Sequence, residues 1–225
     1  MRARSTFLAF FVALIALVLA NTAVANSVTM TYEGHEGASA NGSPYIGYPY
    51  YFSINGSSTL TPLLCDSFDN NIRLGETWQA TVTPFLTGVG MFGATTSLDY
   101  RAAGLIFKSM LNNTLDPALG TRQEQLLAQW AIWGLFSSNA RSQSYFATIG
   151  AGLIDSTYLG LAVNAPKSAY AGLFLYTPVA GTQSWGGMPQ EFIGYSAVPE
   201  PASLTLLGTG LIGLAGAIRR KFAKA

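Results

Sequence analysis

Two apolar runs, one at each end, decide how much of this 225-residue chain is left to fold in water. The first, Phe7–Ala20, is 14 residues long and follows the basic residues Arg2 and Arg4. That is short for a membrane span and right for the apolar segment of a secretory signal peptide. Ala23-Val24-Ala25 then supplies the small-x-small pattern cut by signal peptidase. Ala23 and Ala25 are therefore the cleavage residues, residues 1–25 the signal peptide, and Asn26 the expected mature N-terminus. The second run, Ala202–Ile218, has 17 residues. As a helix it is roughly 25 Å long at 1.5 Å per residue. That falls slightly short of the ~30 Å hydrocarbon layer, a gap closed by local thinning or by snorkelling of Arg219 and Arg220. Arg219, Arg220 and Lys221 follow as a membrane stop, predicting a cytoplasmic C-terminus and an extracytoplasmic middle.

Residues 26–197 remain for one extracytoplasmic domain, long enough for a sizeable core. Between Asn26 and Val198 six basic residues stand against ten acidic ones, scattered singly. The formal net charge of +1 thus comes from the basic ends, and no basic patch points to nucleic acid. The chain has one cysteine, Cys65. In an oxidising compartment a lone cysteine makes no internal disulfide, so its thiol is buried, paired between chains, or used chemically.

Patterning divides the domain into strands, helices, and strands again. Ser27–Tyr32 alternates apolar and polar residues, and a Gly/Ser/Pro loop follows from Gly34 to Gly47. Tyr48–Ile54 is rich in aromatics and ends at the Asn55-Gly56 turn signal. Leu60–Leu64 and Glu76–Thr83 read as further strands. From Leu98 to Leu111 the apolar positions recur at three and four, which predicts a helix. Thr121 with Glu124 has the form of a capping box for a second helix ending near Phe136. A third helix is expected over Phe146–Leu161, and strands return at Tyr170–Thr177 and Glu191–Ala197. The expected fold class is α+β: a β-rich domain with a helical middle, flanked by a signal peptide and a C-terminal transmembrane helix.

Ahead of the second apolar run stands Pro199-Glu200-Pro201, with Pro201 suited to a first helical turn. Pro-Glu-Pro, a Gly-rich apolar helix and a basic end, in that order, resemble the PEP-CTERM sorting signal, also known as the ice-binding protein C-terminal domain. The resemblance covers residues 198–225. It implies a sorting address, not an activity: a membrane transpeptidase of the exosortase type would recognise Pro199, Glu200 and Pro201 and remove the tail. Until then the chain is held in the inner membrane; afterwards it belongs to the envelope or the extracellular matrix. The repeated Thr arrays that ice binding needs are absent from the sequence.

Cys65 lies in Leu63-Leu64-Cys65-Asp66 and Gln129 in Ala128-Gln129-Trp130-Ala131-Ile132-Trp133. Together they resemble the thioester domains of bacterial surface adhesins, in which a strand cysteine bonds to the glutamine of a Gln-x-Ala-Ile-Trp helix. Ala128 departs from that motif, which usually carries Thr before the glutamine. The resemblance implies that Cys65 supplies the sulfur and Gln129 the acyl carbon of a bond that surface amines or hydroxyls open. The alternative is that Cys65 is a small buried hydrophobe and Gln129 a hydrogen-bonded helix residue. Cys65-Asp66-Ser67-Phe68, Leu74-Gly75-Glu76-Thr77-Trp78, Gln129–Phe136 and Pro189-Gln190-Glu191-Phe192 also resemble a group of PEP-CTERM ectodomains that carries little established function.

Other chemistry is poorly provided for. A cysteine nucleophile needs a base, and the one histidine, His35, sits in Glu33-Gly34-His35-Glu36-Gly37, which reads as a solvated loop. The protein is therefore expected not to be an enzyme. One His and one Cys assemble no zinc site, and no cofactor is expected. Asp66, Asp69, Asn70 and Asn71 lack the spacing of a calcium loop, though a single weak calcium site stays open. Tyr45, Tyr48, Tyr50 and Tyr51 form a cluster that, if exposed, would stack on sugars. Noncovalent binding of exopolysaccharide, or a purely structural matrix role, is therefore the alternative to covalent attachment.

Overall fold

The computed structural model describes residues 26–37, 39 and 46–196. The expected signal peptide with Ala23 and Ala25, Tyr45, the Pro199-Glu200-Pro201 motif, the 202–218 run and Arg219, Arg220 and Lys221 lie outside the described residues. No helix among the described residues is long and apolar enough to cross a membrane.

Six strands close into a barrel: β1 (Asn26–His35), β2 (Tyr50–Ile54), β3 (Thr61–Cys65), β4 (Thr77–Pro84), β7 (Leu173–Pro178) and β8 (Phe192–Tyr195). Their order around the wall is β1-β2-β3-β8-β7-β4, and every neighbouring pair is antiparallel. Closure leaves no unpaired edge among them. Alternation along each strand sends Met30, Tyr32, Phe52, Leu63, Trp78, Ala80, Leu175 and Phe192 inward. A barrel this small is filled by side chains, here largely by rings. Phe52 meets Phe192 at 4.6 Å and Trp78 at 5.7 Å between centroids, both edge-on.

The chain leaves the barrel after β4 and returns at β7. Between them lie a short hairpin, β5 (Val89–Gly90) and β6 (Gly93–Ala94), and the helices. These are α1 (Leu98–Leu111), α2 (Thr121–Phe136), α3 (Ser138–Ser142), α4 (Ser144–Thr148) and α5 (Ala151–Asn164), followed by a 3-10 turn at Lys167–Tyr170. Residues 126–134 of α2 are all buried, so α2 is the central helix. A stretch wrapped on every side has no polar face to show, and residues 126–134 are accordingly apolar except for Gln129. It packs against α1, α5 and barrel strand β3.

The α+β class and the strand–helix–strand order match the sequence reading, and α1 has the expected limits. Three local expectations do not hold. Gly120, not Thr121, is the N-cap residue of α2, and no side chain caps it. Glu124 is instead buried, and its carboxylate accepts from the backbone N–H of Leu115 at 2.7 Å and of Asp116 at 3.3 Å. It therefore pins the incoming loop rather than closing a capping box. The helix expected over Phe146–Leu161 is broken in two by Gly150, whose φ of +78° is left-handed, a conformation glycine adopts at least cost. Finally, Glu33–His35 belongs to β1, where Gly34 and His35 pair with β2 beyond a bulge at Glu33, rather than to a loop.

Candidate functional site

Cys65 is the last residue of β3, held opposite Phe192 of β8. Gln129 sits in the middle of α2, where that helix crosses the end of β3. Both are completely buried. The Gln129 side-chain amide donates from Nε2 to the Cys65 carbonyl at 2.5 Å, across 64 positions of sequence. Its Oε1 finds no hydrogen-bond partner among the described residues. One turn later, Trp133 donates from Nε1 to Cys65 Sγ at 3.4 Å, and the thiol itself points to the Ser67 carbonyl at 3.6 Å. Cys65 and Gln129 are thus brought together, with an amide whose oxygen is unengaged and a sulfur already addressed by a donor.

Burial pushes the Cys65 thiol up to about 12; the adjacent Asp66 charge adds to this, and hydrogen bonds from Trp133 and at Ser67 pull the other way. Asp66 is itself fully buried. Neither of its oxygens takes a hydrogen bond from another residue's N–H or hydroxyl among the described residues. Desolvation, and then the charge of Glu191, hold Asp66 well above the usual carboxylate range. Glu191 is fully buried but well supplied: Met91 N–H donates to it at 2.8 Å and Thr177 Oγ1 at 2.5 Å, and Tyr100 donates its hydroxyl.

The segments carrying these groups are stitched by further bonds. Asp66 N–H donates to the Glu191 carbonyl at 3.2 Å, and Glu191 N–H to Ser67 Oγ at 2.7 Å. Gln190 donates to the carbonyls of Ser67 at 3.2 Å and Asn70 at 2.6 Å. Asn70 returns donations to the carbonyls of Met188 and Pro189. The Cys65–Phe68, Gln129–Phe136 and Pro189–Phe192 motifs therefore meet at one end of the barrel. A cavity of about 130 Å³ opens beside them, lined by Tyr32, Tyr50, Phe68, Asn71, Trp133 and Gln190 among others. Cys65 does not line it, but Trp133, which does, also touches its sulfur.

The remaining candidates disperse. His35 is exposed at the end of β1, with its ring against Tyr50, and offers no base to the buried thiol. The oxygen-rich run does not gather round a cation: Asp66 faces Glu191, Asp69 accepts from Asn139 at 2.7 Å, and Asn70 is tied to backbone. No group of three or more His, Cys, Asp and Glu side chains that could hold a metal occurs among the described residues. Among the described residues Tyr48, Tyr50 and Tyr51 form no exposed row. Tyr50 is buried, Tyr48 packs edge-on against Phe107, and Tyr51 donates to Glu36 at 2.9 Å. Strand alternation sends them to different sides.

The coupling of Asp66 to Glu191 escaped the sequence reading. Its trace there is two carboxylates set in apolar surroundings, Leu63-Leu64-Cys65-Asp66 and Gln190-Glu191-Phe192-Ile193.

Residues 197–221 match the PEP-CTERM protein-sorting motif. The chain therefore carries the sorting signal of an exported, exosortase-sorted protein of the cell surface, anchored in the membrane before processing. Among solved structures, the N-terminal thioester domain of a surface protein from Clostridium perfringens resembles it with a TM-score of 0.43 at 12% identity, over 76% of this chain and 99% of that one. No curated protein matches the chain.

Proposed function

We propose that this surface protein attaches covalently to its surroundings through an internal thioester between Cys65 and Gln129. One observation carries the reading: the Gln129 carboxamide is held against Cys65 by its bond to the Cys65 carbonyl, with both residues sealed from water. In thioester formation Cys65 Sγ bonds to the Gln129 side-chain carbonyl carbon, the C–N bond breaks, and ammonia leaves with the thiol proton. Burial then protects the product from hydrolysis. A partner amine or hydroxyl reaching the carbon forms an amide or ester bond to Gln129 and frees the thiol. Each molecule reacts once, so the protein is a single-use reagent and not an enzyme. The exosortase-type transpeptidase would remove the tail beside Pro199-Glu200-Pro201.

The test is the intact mass of the chain purified in mild detergent without reductant. The expected mass falls short by one ammonia. Methylamine should then add once, at Gln129, and free Cys65 for alkylation. Cys65→Ala should show neither change while keeping its circular dichroism. A full mass with an alkylatable Cys65 in the unfolded wild type would return both residues to the core and sink the reading.

A further inference from the structure

The domain sets six basic residues against ten acidic ones, and the fold brings three of the six to one place. Arg101 and Lys108 stand two turns apart on α1, so they share one face of that helix, roughly 10 Å from each other along its axis. Both reach to the segment that leads from α5 into β7. Arg101 Nη2 donates to the Ala165 carbonyl at 3.0 Å, and Lys108 Nζ to the Ala171 carbonyl at 3.4 Å. Between those two anchors runs the 3-10 turn that carries Lys167, which is exposed. Among the described residues none of the three has an ion-pair partner, and no carboxylate lines the two cavities beside them. Asp99 is near Arg101 in sequence, but residues two apart on a helix do not face each other, and its charge acts on Asp155 instead.

The two cavities adjoin, sharing Leu86 and Lys167 as walls. One, of about 330 Å³, is lined by Pro84, Phe85, Tyr170, Leu173 and Phe174 among others, and is largely apolar. The other, of about 420 Å³, is bounded by Thr96, Arg101, Ala165 and Pro166. Each has the size of a small-molecule site. The dividing wall is Leu86, whose φ of +69° is a left-handed conformation that leucine seldom takes. Its neighbours hold it there: Phe85 N–H donates to the Leu173 carbonyl at 3.0 Å, and Thr87 donates to the Pro84 carbonyl from N–H at 3.2 Å and from Oγ1 at 2.6 Å. Backbone of this kind persists only where its surroundings over-determine it.

We infer that this groove is a noncovalent binding site for an acidic polysaccharide, with sugar carboxylates on Arg101 and Lys167 and the sugar rings against Phe85, Leu86 and Pro166. The site is separate from Cys65 and Gln129 and does not rest on the thioester reading. Arg101 is half-buried, and a cation taken partly out of water is costly until an anion joins it. One of its N–H groups holds the Ala165 carbonyl; the guanidinium has four more to offer a carboxylate. Two cavities in line, with cations along them, suit a chain of repeating charge better than a single ion. A uronate ring presents apolar C–H faces to the apolar walls while its carboxylate meets the cations. The excess of acidic residues in the rest of the domain repels a polyanion, which confines its binding to the groove.

The test is the affinity of the full-length chain, in mild detergent, for alginate oligosaccharides by isothermal titration calorimetry. Wild type should bind, and should let go at about 1 M salt, where the Debye length is about 3 Å. Release by salt also separates this binding from a covalent bond, so the result stands whether or not the thioester forms. Lys167→Glu should weaken binding at least ~10-fold, as loss of one hydrogen bond to a charged group does, and so should Arg101→Gln. Arg122→Glu on α2 makes the same change in net charge as Lys167→Glu but lines neither cavity, and should bind as wild type. The basic tail is common to all these proteins, so only differences between them speak for the groove. Equal weakening by Lys167→Glu and Arg122→Glu would reduce the effect to diffuse attraction and overturn the site. Equal affinity for poly-glutamate of matched charge would overturn the sugar as ligand. Wild type that ignores alginate, or holds it through high salt, would overturn the proposal outright. Should Arg101→Gln misfold for want of its Ala165 bond, the exposed Lys167→Glu decides alone.

Discussion

Asp155 offers a stability prediction that can be worked through with its sign. It is buried on α5, with Arg141 Nη2 at 3.1 Å from its Oδ2 as its one ion-pair partner among the described residues. Arg141 is itself half-exposed, so its charge is shared with water. Desolvation wins over Arg141, and Asp99 adds a like charge, leaving the Asp155 carboxyl pushed up to about 7. The folded state therefore binds a proton more tightly than the unfolded chain, whose Asp titrates near ~3.9. Stability from this group is fully present below about pH 4 and is lost as pH rises through about 7. At ~1.4 kcal/mol per pH unit the loss is bounded by ~4 kcal/mol, and partial solvent access through Arg141 brings it to about 2 kcal/mol. Asp155→Asn cannot ionise and should escape it. Urea unfolding of both proteins at pH 4.5 and pH 8 is the assay. The variant should gain about 2 kcal/mol on wild type between the two, or roughly 4–8 °C in Tm for a domain this size. A gap between the proteins that does not change with pH, or that favours wild type at pH 8, would refute the argument.

Trp133→Phe keeps a ring but removes the N–H that addresses Cys65 Sγ; methylamine capture should slow about 10-fold, the worth of one hydrogen bond of ~1.4 kcal/mol, read by the time course of intact mass. Glu124→Ala leaves the Leu115 N–H without its buried acceptor and should cost about 1–3 kcal/mol in urea unfolding; Glu124→Gln, which keeps an acceptor oxygen, should recover most of that. Phe192→Ala empties the middle of the ring cluster and should cost about 3–5 kcal/mol by the same measurement.

Much of the architecture was legible in the amino-acid order because it rests on interactions within a few residues. The three-and-four recurrence that makes one side of Leu98–Leu111 apolar is a property of the helix period alone, and α1 begins and ends where that pattern does. Gly150 was readable only in hindsight. Glycine in a helical pattern is tolerated more often than not, and its positive φ depends on how α4 turns into α5. Glu124 misled because the capping-box spacing is local, whereas its actual partners are decided by where the Leu115 loop comes to rest. The sorting motif at 197–221 needed no fold at all, since such an address is read from the order of residues itself.

What the sequence by itself determined, then, is the α+β class, the spans of α1 and α2 and the sorting motif at 197–221. What only the tertiary structure decided is which distant residues meet. Strand order β1-β2-β3-β8-β7-β4 carries the C-terminal β8 across the helical insertion to lie beside β3. That pairing sets Glu191 against Asp66, and the crossing of α2 over the end of β3 sets Gln129 against Cys65. Side-chain periodicity tells each segment which face is apolar, but not which partner will cover it. The choice is made by closing long loops against their entropy, a global balance that no local window contains.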